Sequence, residues 1–209
     1  MKSFVTALFS LIIWAMTSAI STAQPIKIVG LGDSLMAGYQ LEGGQGFPAQ
    51  LQNALKQQGF DVEVADAGVS GDTTSGGLAR LDWSVPEGTD LVVLELGAND
   101  ALRGVDPKET AANLRAMIER LKARNIKIIL AGMLAPPNMG EAYGTAFNRI
   151  FPEFSKEFDL PLIPFFLEGV AGNPRLQLDD RMHPNPEGVK KMVENALPVV
   201  KDSLSALSQ

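Results

Sequence analysis

The chain of 209 residues contains no cysteine and only one histidine. Without cysteine there is no disulfide framework, no thiolate nucleophile, no zinc ribbon or finger, and no lipid-modified N-terminal cysteine. One histidine cannot build a multi-histidine zinc site, so any metal would need a carboxylate-rich oxygen site. Basic residues are also in deficit, 18 against 24 acidic ones, for a net charge of −6. That balance excludes the basic footprint of a nucleic-acid binder. After the N-terminus no apolar run is long enough to span a bilayer, which takes about twenty residues. What is present is ordinary for a globular protein: 45% hydrophobic and 20% charged residues, in a length that suits one domain with a substantial core.

The first twenty-three residues read as an address rather than as fold. Lys2 supplies a positive n-region, Phe4 to Ile20 is uncharged and mostly apolar, and Ser21-Thr22-Ala23 offers small residues at a cleavage site. This is the pattern of a secretory signal peptide. The competing reading is an uncleaved anchor, but the run ends in small residues rather than basic ones. Ala19 is an alternative cleavage point. Cleavage after Ala23 removes one basic residue and leaves a more acidic chain, 24–209, expected to be exported to a periplasm or the medium.

The remainder alternates β-branched runs with helical periodicity. Strands are expected at Ile26–Val29, Val62–Val64, Leu91–Leu96, Ile126–Leu130 and, weakly, Leu160–Ile163. The run Leu91-Val92-Val93-Leu94-Glu95-Leu96 is nearly all apolar, as for a strand buried on both faces. Helices are expected at Pro48–Gln58; at a segment opened by Asp106-Pro107, with Asp as N-cap and Pro in the first turn; at Ala142–Phe158, kinked or split by Pro152; and at Pro186–Leu207, interrupted by Pro198. Alternating strands and helices predict one α/β domain with a parallel sheet covered on both faces, and ligand sites beyond the carboxyl ends of its strands.

Four polar loops fall near such ends: Gly32-Asp33-Ser34-Leu35, Gly68 to Thr73, Gly97-Ala98-Asn99-Asp100, and Asp179 to Asn185. A histidine by itself is more often structural or solvated than catalytic. Asp180, however, precedes His183 by three residues, so one tight turn can bring its carboxylate to the imidazole Nδ1–H and leave Nε2 as a general base. Asp179 is a rival partner, one residue further away. With no cysteine, the group to be activated is a hydroxyl. Ser34 follows a buried strand and a glycine; its competing role is a helix N-cap. Ser70 and Ser75 are other possible nucleophiles, in a longer polar loop. The backbone N–H groups of Ser34 and Gly71 and the side-chain amide of Asn99 can supply oxyanion donors, although Asn99-Asp100 also reads as a plain turn and helix cap.

Competing motifs fail. Gly30-x-Gly32 lacks the third glycine of a dinucleotide fingerprint, no phosphate-binding P-loop occurs, and Gly32-Asp33-Ser34-Leu35-Met36 lacks the second glycine of an α/β-hydrolase elbow.

Gly-Asp-Ser-Leu at 32–35, Gly71, Gly-x-Asn-Asp at 97–100 and Asp-x-x-His at 180–183, in that order, resemble the consensus blocks of the GDSL or SGNH hydrolases. The resemblance spans nearly the whole chain after residue 23. It is nearest the small exported branch of arylesterases, acyl thioesterases and lysophospholipases. Further likeness lies in Gly77-Leu78-Ala79-Arg80-Leu81, Glu95-Leu96-Gly97 and Leu102-Arg103-Gly104.

The resemblance implies a flavodoxin-like three-layer α/β/α fold with a five-stranded parallel sheet. It implies Ser34 as nucleophile, His183 as base and Asp180 as the acid that orients it, with Ser34, Gly71 and Asn99 forming the oxyanion hole and no metal or organic cofactor. The implied substrates are small acyl esters, thioesters or lysophospholipids, handled by a monomer. Met133 to Gly140 corresponds to a loop that lines the acyl pocket in the resembled enzymes, though it also reads as a surface loop with two buried methionines. Asp72 to Leu81 resembles a mobile loop that closes on substrate, with Gly76-Gly77 as hinge or turn. Two alternatives stand beside this: a carbohydrate O-deacetylase using the same mechanism, and a non-catalytic α/β binding protein.

Overall fold

The computed structural model describes residues 24–207. The signal-peptide reading of residues 1–23 lies outside the described residues.

The chain runs β1 (Ile26–Gly32), α1 (Ser34–Ala37), α2 (Phe47–Gln57), β2 (Val62–Gly68), α3 (Thr74–Ser84), β3 (Leu91–Glu95), α4 (Ala98–Arg103), α5 (Pro107–Ala123), β4 (Lys127–Ala131), a 3₁₀ turn (Pro137–Met139), α6 (Glu141–Asn148), α7 (Ile150–Phe158), β5 (Leu162–Ile163) and α8 (Pro186–Leu207). The five strands form one sheet in the order β2-β1-β3-β4-β5, and every pairing is parallel. This is the flavodoxin-like order, and it reverses direction between β1 and β3. Right-handed crossovers then place α2 and α8 together on one face and α3, α5 and α7 on the other.

The central strands read as apolar runs because helices cover both their faces. All five residues of β3 are buried, including Glu95, whose side chain is wholly enclosed. β2 lies at an edge and carries the exposed Glu63 and Asp66, charges that discourage pairing with a further strand. Asp106 caps α5 as its sequence suggests, accepting the Lys108 N–H at 2.9 Å, with Pro107 in the first turn. The helical stretch around Pro152 splits at Arg149 into α6 and α7. The ring at Pro152 has no N–H to give the Asn148 carbonyl and crowds it, so a new helix begins where proline is tolerated, in the first turn.

Two expectations are corrected. Pro198 does not interrupt the last helix, and α8 runs unbroken from Pro186 to Leu207. Pro198 lies on the exposed side, where the carbonyl left without an N–H partner is not sealed in the core, while buried Ala196, Val200 and Leu204 hold the helix against the sheet. Asp72 to Leu81 is not a loop with a glycine hinge, because from Thr74 onward it is α3. Thr73 caps α3 by accepting the Gly76 N–H. A Cβ on Gly76 would collide with the Asp72 carboxylate, and one on Gly77 with the Leu96 side chain. These glycines therefore make room for the side chains packed against them.

Candidate active site

The sheet reverses its winding between β1 and β3, and the crevice there opens beyond their carboxyl ends. The loop after β1 enters it first. Asp33, not Ser34, is the N-cap of α1, accepting the Leu35 N–H on Oδ1 at 3.0 Å. Ser34 is thus the first helical residue, and its N–H is one of those a helix leaves unpaired. Its Oγ lies 2.8 Å from His183 Nε2.

His183 comes from an irregular segment between β5 and α8 that short bonds pin in place. Leu178 N–H donates to the His183 carbonyl at 2.8 Å, and Gln177 Nε2 to the Arg181 carbonyl at 3.0 Å. Arg181 takes a left-handed backbone, φ 56°, to complete the turn. Asp180 Oδ1 accepts the N–H groups of Met182 at 2.9 Å and His183 at 3.0 Å, an Asx-type turn. Its other oxygen, Oδ2, lies 2.6 Å from His183 Nδ1. Desolvation pushes the Asp180 carboxyl upward, but bonds from the His183 backbone, the His183 ring and the Met182 backbone outweigh it and hold the group at about 2. The carboxylate is therefore ionised at neutral pH and fixes a proton on Nδ1, leaving Nε2 to accept from the serine hydroxyl. The Tyr39 ring packs against the imidazole, with centroids 4.5 Å apart. The imidazole's two side-chain partners are thus Ser34 and Asp180, and not Asp179, Ser70 or Ser75.

The two other candidate donors, Gly71 and Asn99, line the same cavity as Ser34. Val69 to Asp72 form a turn closed by Asp72 N–H to Val69 O at 3.0 Å, with Gly71 at φ 83°. This is the third-position geometry of a type II turn, which favours glycine and leaves the Gly71 N–H out of the turn's own bond. The Gly71 carbonyl accepts from Arg103 Nη2 at 2.8 Å. Asn99, in the first turn of α4, donates through Nδ2 to Asp33 Oδ2 at 2.9 Å. Asp33 thereby holds the Ser34 turn with one oxygen and Asn99 with the other.

Two buried carboxyls lie beneath the serine. Asp33 is 1% exposed, and burial raises it to about 6 against the opposing pull of the Leu35 N–H, the Asn99 amide and the imidazole. Glu95 accepts the Asp33 N–H on Oε2 at 3.1 Å, and its burial, with Asp33 adjacent, raises it well above the usual carboxylate range. Its other oxygen has no partner among the described residues. The close fit of Glu95 under the chain explains Gly32, since a Cβ there would collide with the Glu95 carboxyl. Glu95 stood out in the sequence as the one charged residue in an apolar strand and as part of the Glu95-Leu96-Gly97 likeness, without a role. Asp33 was visible as a motif residue, without its double role.

Beside Ser34 and His183 a cavity of about 620 Å³ opens, with a mostly apolar wall that includes Leu102, Met133, Leu134, Pro136, Phe165 and Leu167. Residues 133–137 of the 133–140 loop line it, as the resemblance implied; of the loop's two methionines Met133 is buried and Met139 half-buried and off the cavity wall. Among the described residues no group of histidine, aspartate and glutamate side chains could hold a metal ion.

The sequence pattern of the GDSL-like lipase/acylhydrolase family matches residues 31–191. An arylesterase from Vibrio mimicus is 42% identical over 181 residues, 86% of this chain and 90% of its own. Thioesterase 1/protease 1/lysophospholipase L1 from Escherichia coli is 41% identical over 156 residues, 74% of each chain. Among solved structures AlinE4, an SGNH-hydrolase family esterase, superposes with a TM-score of 0.74 at 42% identity, covering 88% of this chain and 99% of its own.

Proposed function

The chain belongs to the GDSL-like lipase/acylhydrolase family and is an SGNH-type ester and thioester hydrolase; on that premise we propose that Ser34 is its nucleophile, His183 its base and Asp180 the acid that orients the base. Ser34 Oγ attacks the acyl carbonyl carbon as His183 Nε2 takes the hydroxyl proton. The tetrahedral oxyanion is held by the N–H groups of Ser34 and Gly71 and by the Asn99 amide. Collapse expels the alcohol or thiol, which leaves with the proton from Nε2. Water then attacks the acyl-enzyme by the same route and releases the acid. The observation that carries this reading is the unbroken chain from Ser34 Oγ to His183 Nε2 at 2.8 Å and from His183 Nδ1 to Asp180 at 2.6 Å, at the mouth of an apolar cavity.

The cavity, about 620 Å³, supports acyl chains of short to medium length, aryl esters, thioesters and lysophospholipids as substrates. It is much larger than an acetyl group needs, and its apolar lining offers little to the hydroxyls of a sugar, which disfavours a carbohydrate O-deacetylase. A complete serine, histidine, aspartate and asparagine set disfavours a binding protein without catalysis. The Ser, His and Asp side chains and all three donors come from one chain, so the proposed site needs no residue from a partner. The signal-like segment at 1–23 supports export, with residues 24–209 as the hydrolase domain; among the described residues no helix is long and apolar enough to cross a membrane.

The test is fluorophosphonate labelling read by mass spectrometry, with rates on aryl esters and acyl thioesters of increasing chain length. Label on Ser34 that is lost in Ser34→Ala, with rates rising beyond acetyl, is expected. Full esterase activity in Ser34→Ala would remove the nucleophile. A strict preference for acetylated sugars would replace the substrate assignment.

A further inference from the structure

Arg80 is a buried cation that none of the reaction steps uses. It lies in α3 and is 7% exposed, with its guanidinium set between the carboxyl ends of β1 and β2. Nε donates to Asp72 Oδ2 at 2.6 Å, and Nη1 to the Ala67 carbonyl at 2.7 Å and to Ser84 Oγ at 3.0 Å. Nη2 donates to the Gly32 carbonyl at 2.8 Å. Apart from Ser84, these acceptors lie on three stretches of chain that meet at the site. Gly32 leads directly into the Asp33-Ser34 turn, Ala67 lies at the end of β2, and Asp72 follows Gly71. The Gly32 carbonyl also accepts the Val69 N–H at 3.0 Å, a second tie between the nucleophile turn and the Gly71 turn.

The local sequence is adapted to this contact. A Cβ on Gly76 would occupy the place of the Asp72 carboxylate. Glycine is a poor helix former, and its use at this position of α3 leaves room for Asp72 to reach Arg80. Stability alone is a poor reason for the pair, since a buried ion pair is often no better than an apolar packing of the same volume. The contact instead offers geometry. A planar guanidinium has five donors in a fixed fork, whereas an ammonium on a flexible stem cannot reach the same acceptors at once.

We propose that Arg80 is a positioning residue for the oxyanion site, its guanidinium setting the distance between the Ser34 and Gly71 N–H groups. The proposal rests on the reading of those two groups as oxyanion donors. Such donors act only when they lie within about 2.7–3.1 Å of the developing oxyanion, and a misplacement of about 1 Å costs on the order of 10²-fold in rate.

Arg80→Lys keeps the charge and loses the fork, and Asp72→Asn keeps the shape and one acceptor. Ser84→Ala is the control, because it removes an acceptor that belongs to α3 alone. Each is assayed for fold by circular dichroism, for kcat and KM on a soluble aryl ester, and for inhibition by an acyl trifluoromethyl ketone. The ketone adds Ser34 Oγ across its carbonyl, the serine proton passing to His183, to give a hemiketal oxyanion bound at the same donors. In folded Arg80→Lys, kcat is expected to fall about 10- to 10²-fold with KM within about three-fold, and ketone affinity to fall in proportion. Asp72→Asn should show a smaller loss of the same kind, and Ser84→Ala none.

Unchanged kcat and ketone affinity in folded Arg80→Lys would overturn the proposal and leave the oxyanion reading intact, as would a loss confined to KM or to stability. A wild-type enzyme that binds the ketone no more tightly than substrate would remove the oxyanion reading and the proposal together. If Arg80→Lys does not fold, Asp72→Asn carries the same test: a kcat loss matched by ketone affinity supports the proposal, and wild-type values overturn it.

Discussion

Replacing Asp33 with asparagine should remove a loss of stability that sets in as pH rises and should lower activity at once, with a pH dependence that reveals the cause. Asp33 is 1% exposed, and its carboxyl is raised from 3.8 to about 6, chiefly by burial. Between those values the folded state binds a proton that the unfolded state has released. Stability therefore falls as pH rises through this window, by about 3 kcal/mol for a shift of about two units. Asparagine has no charge to desolvate, so Asp33→Asn lacks this loss. The stability difference between Asp33→Asn and wild type should be flat below about pH 4, grow between about pH 4 and 6, and level off about 3 kcal/mol higher, on the order of 6–12 °C in melting temperature for a chain of this size. Any fixed cost of altered hydrogen bonds shifts the whole curve and not its slope. Activity moves the other way. The substituted side chain has one acceptor oxygen for two donors, the Leu35 N–H and Asn99 Nδ2. Its new amide then faces that of Asn99 and turns the oxyanion donor away, so kcat should fall about 10- to 10³-fold. Paired thermal and urea unfolding across this pH range and up to neutrality, with kcat measured alongside, make the assay. A stability difference that does not change with pH would refute the argument that a buried carboxylate is carried here at a cost, and full kcat would refute the role of Asp33 in holding Asn99.

Asn99→Ala removes one oxyanion donor, and its kcat should fall about 10²- to 10³-fold with KM changed only a few-fold; steady-state kinetics on an aryl ester read this directly. Gly77→Ala places a Cβ against Leu96, and equilibrium unfolding should show a loss of about 1–3 kcal/mol from overpacking, in contrast to the gain expected for glycine to alanine in an open helix.

The parts of this fold and site that were legible in the sequence are those written in side chains close together along the chain. Asp180 and His183 are three residues apart, and the turn that joins them follows from that spacing. Asp106-Pro107 marks a helix start, and the apolar run of β3 marks a strand buried on both faces. What was hidden depends on contacts between distant segments. Gly76-Gly77 looks like a hinge, and only the neighbours show that Asp72 and Leu96 fill the places of the missing side chains. Pro198 looks like a break until its exposed position and the buried residues around it are seen. Two of the acceptors around Arg80 are backbone carbonyls, which any residue type can present, so no local pattern announces the contact. The cap of the nucleophile helix falls on Asp33, whose carboxylate accepts the Leu35 N–H, so Ser34 is left to face His183.

One imidazole, with no second histidine in the chain to replace it, is proposed to move the proton in both half-reactions. His183 is the only histidine, so the rate of His183→Ala on a chromogenic acyl ester, measured on protein shown to be folded, tests it most directly. A loss of at least about 10³-fold in kcat/KM with the fold intact is expected. An ordinary rate in folded His183→Ala would contradict it.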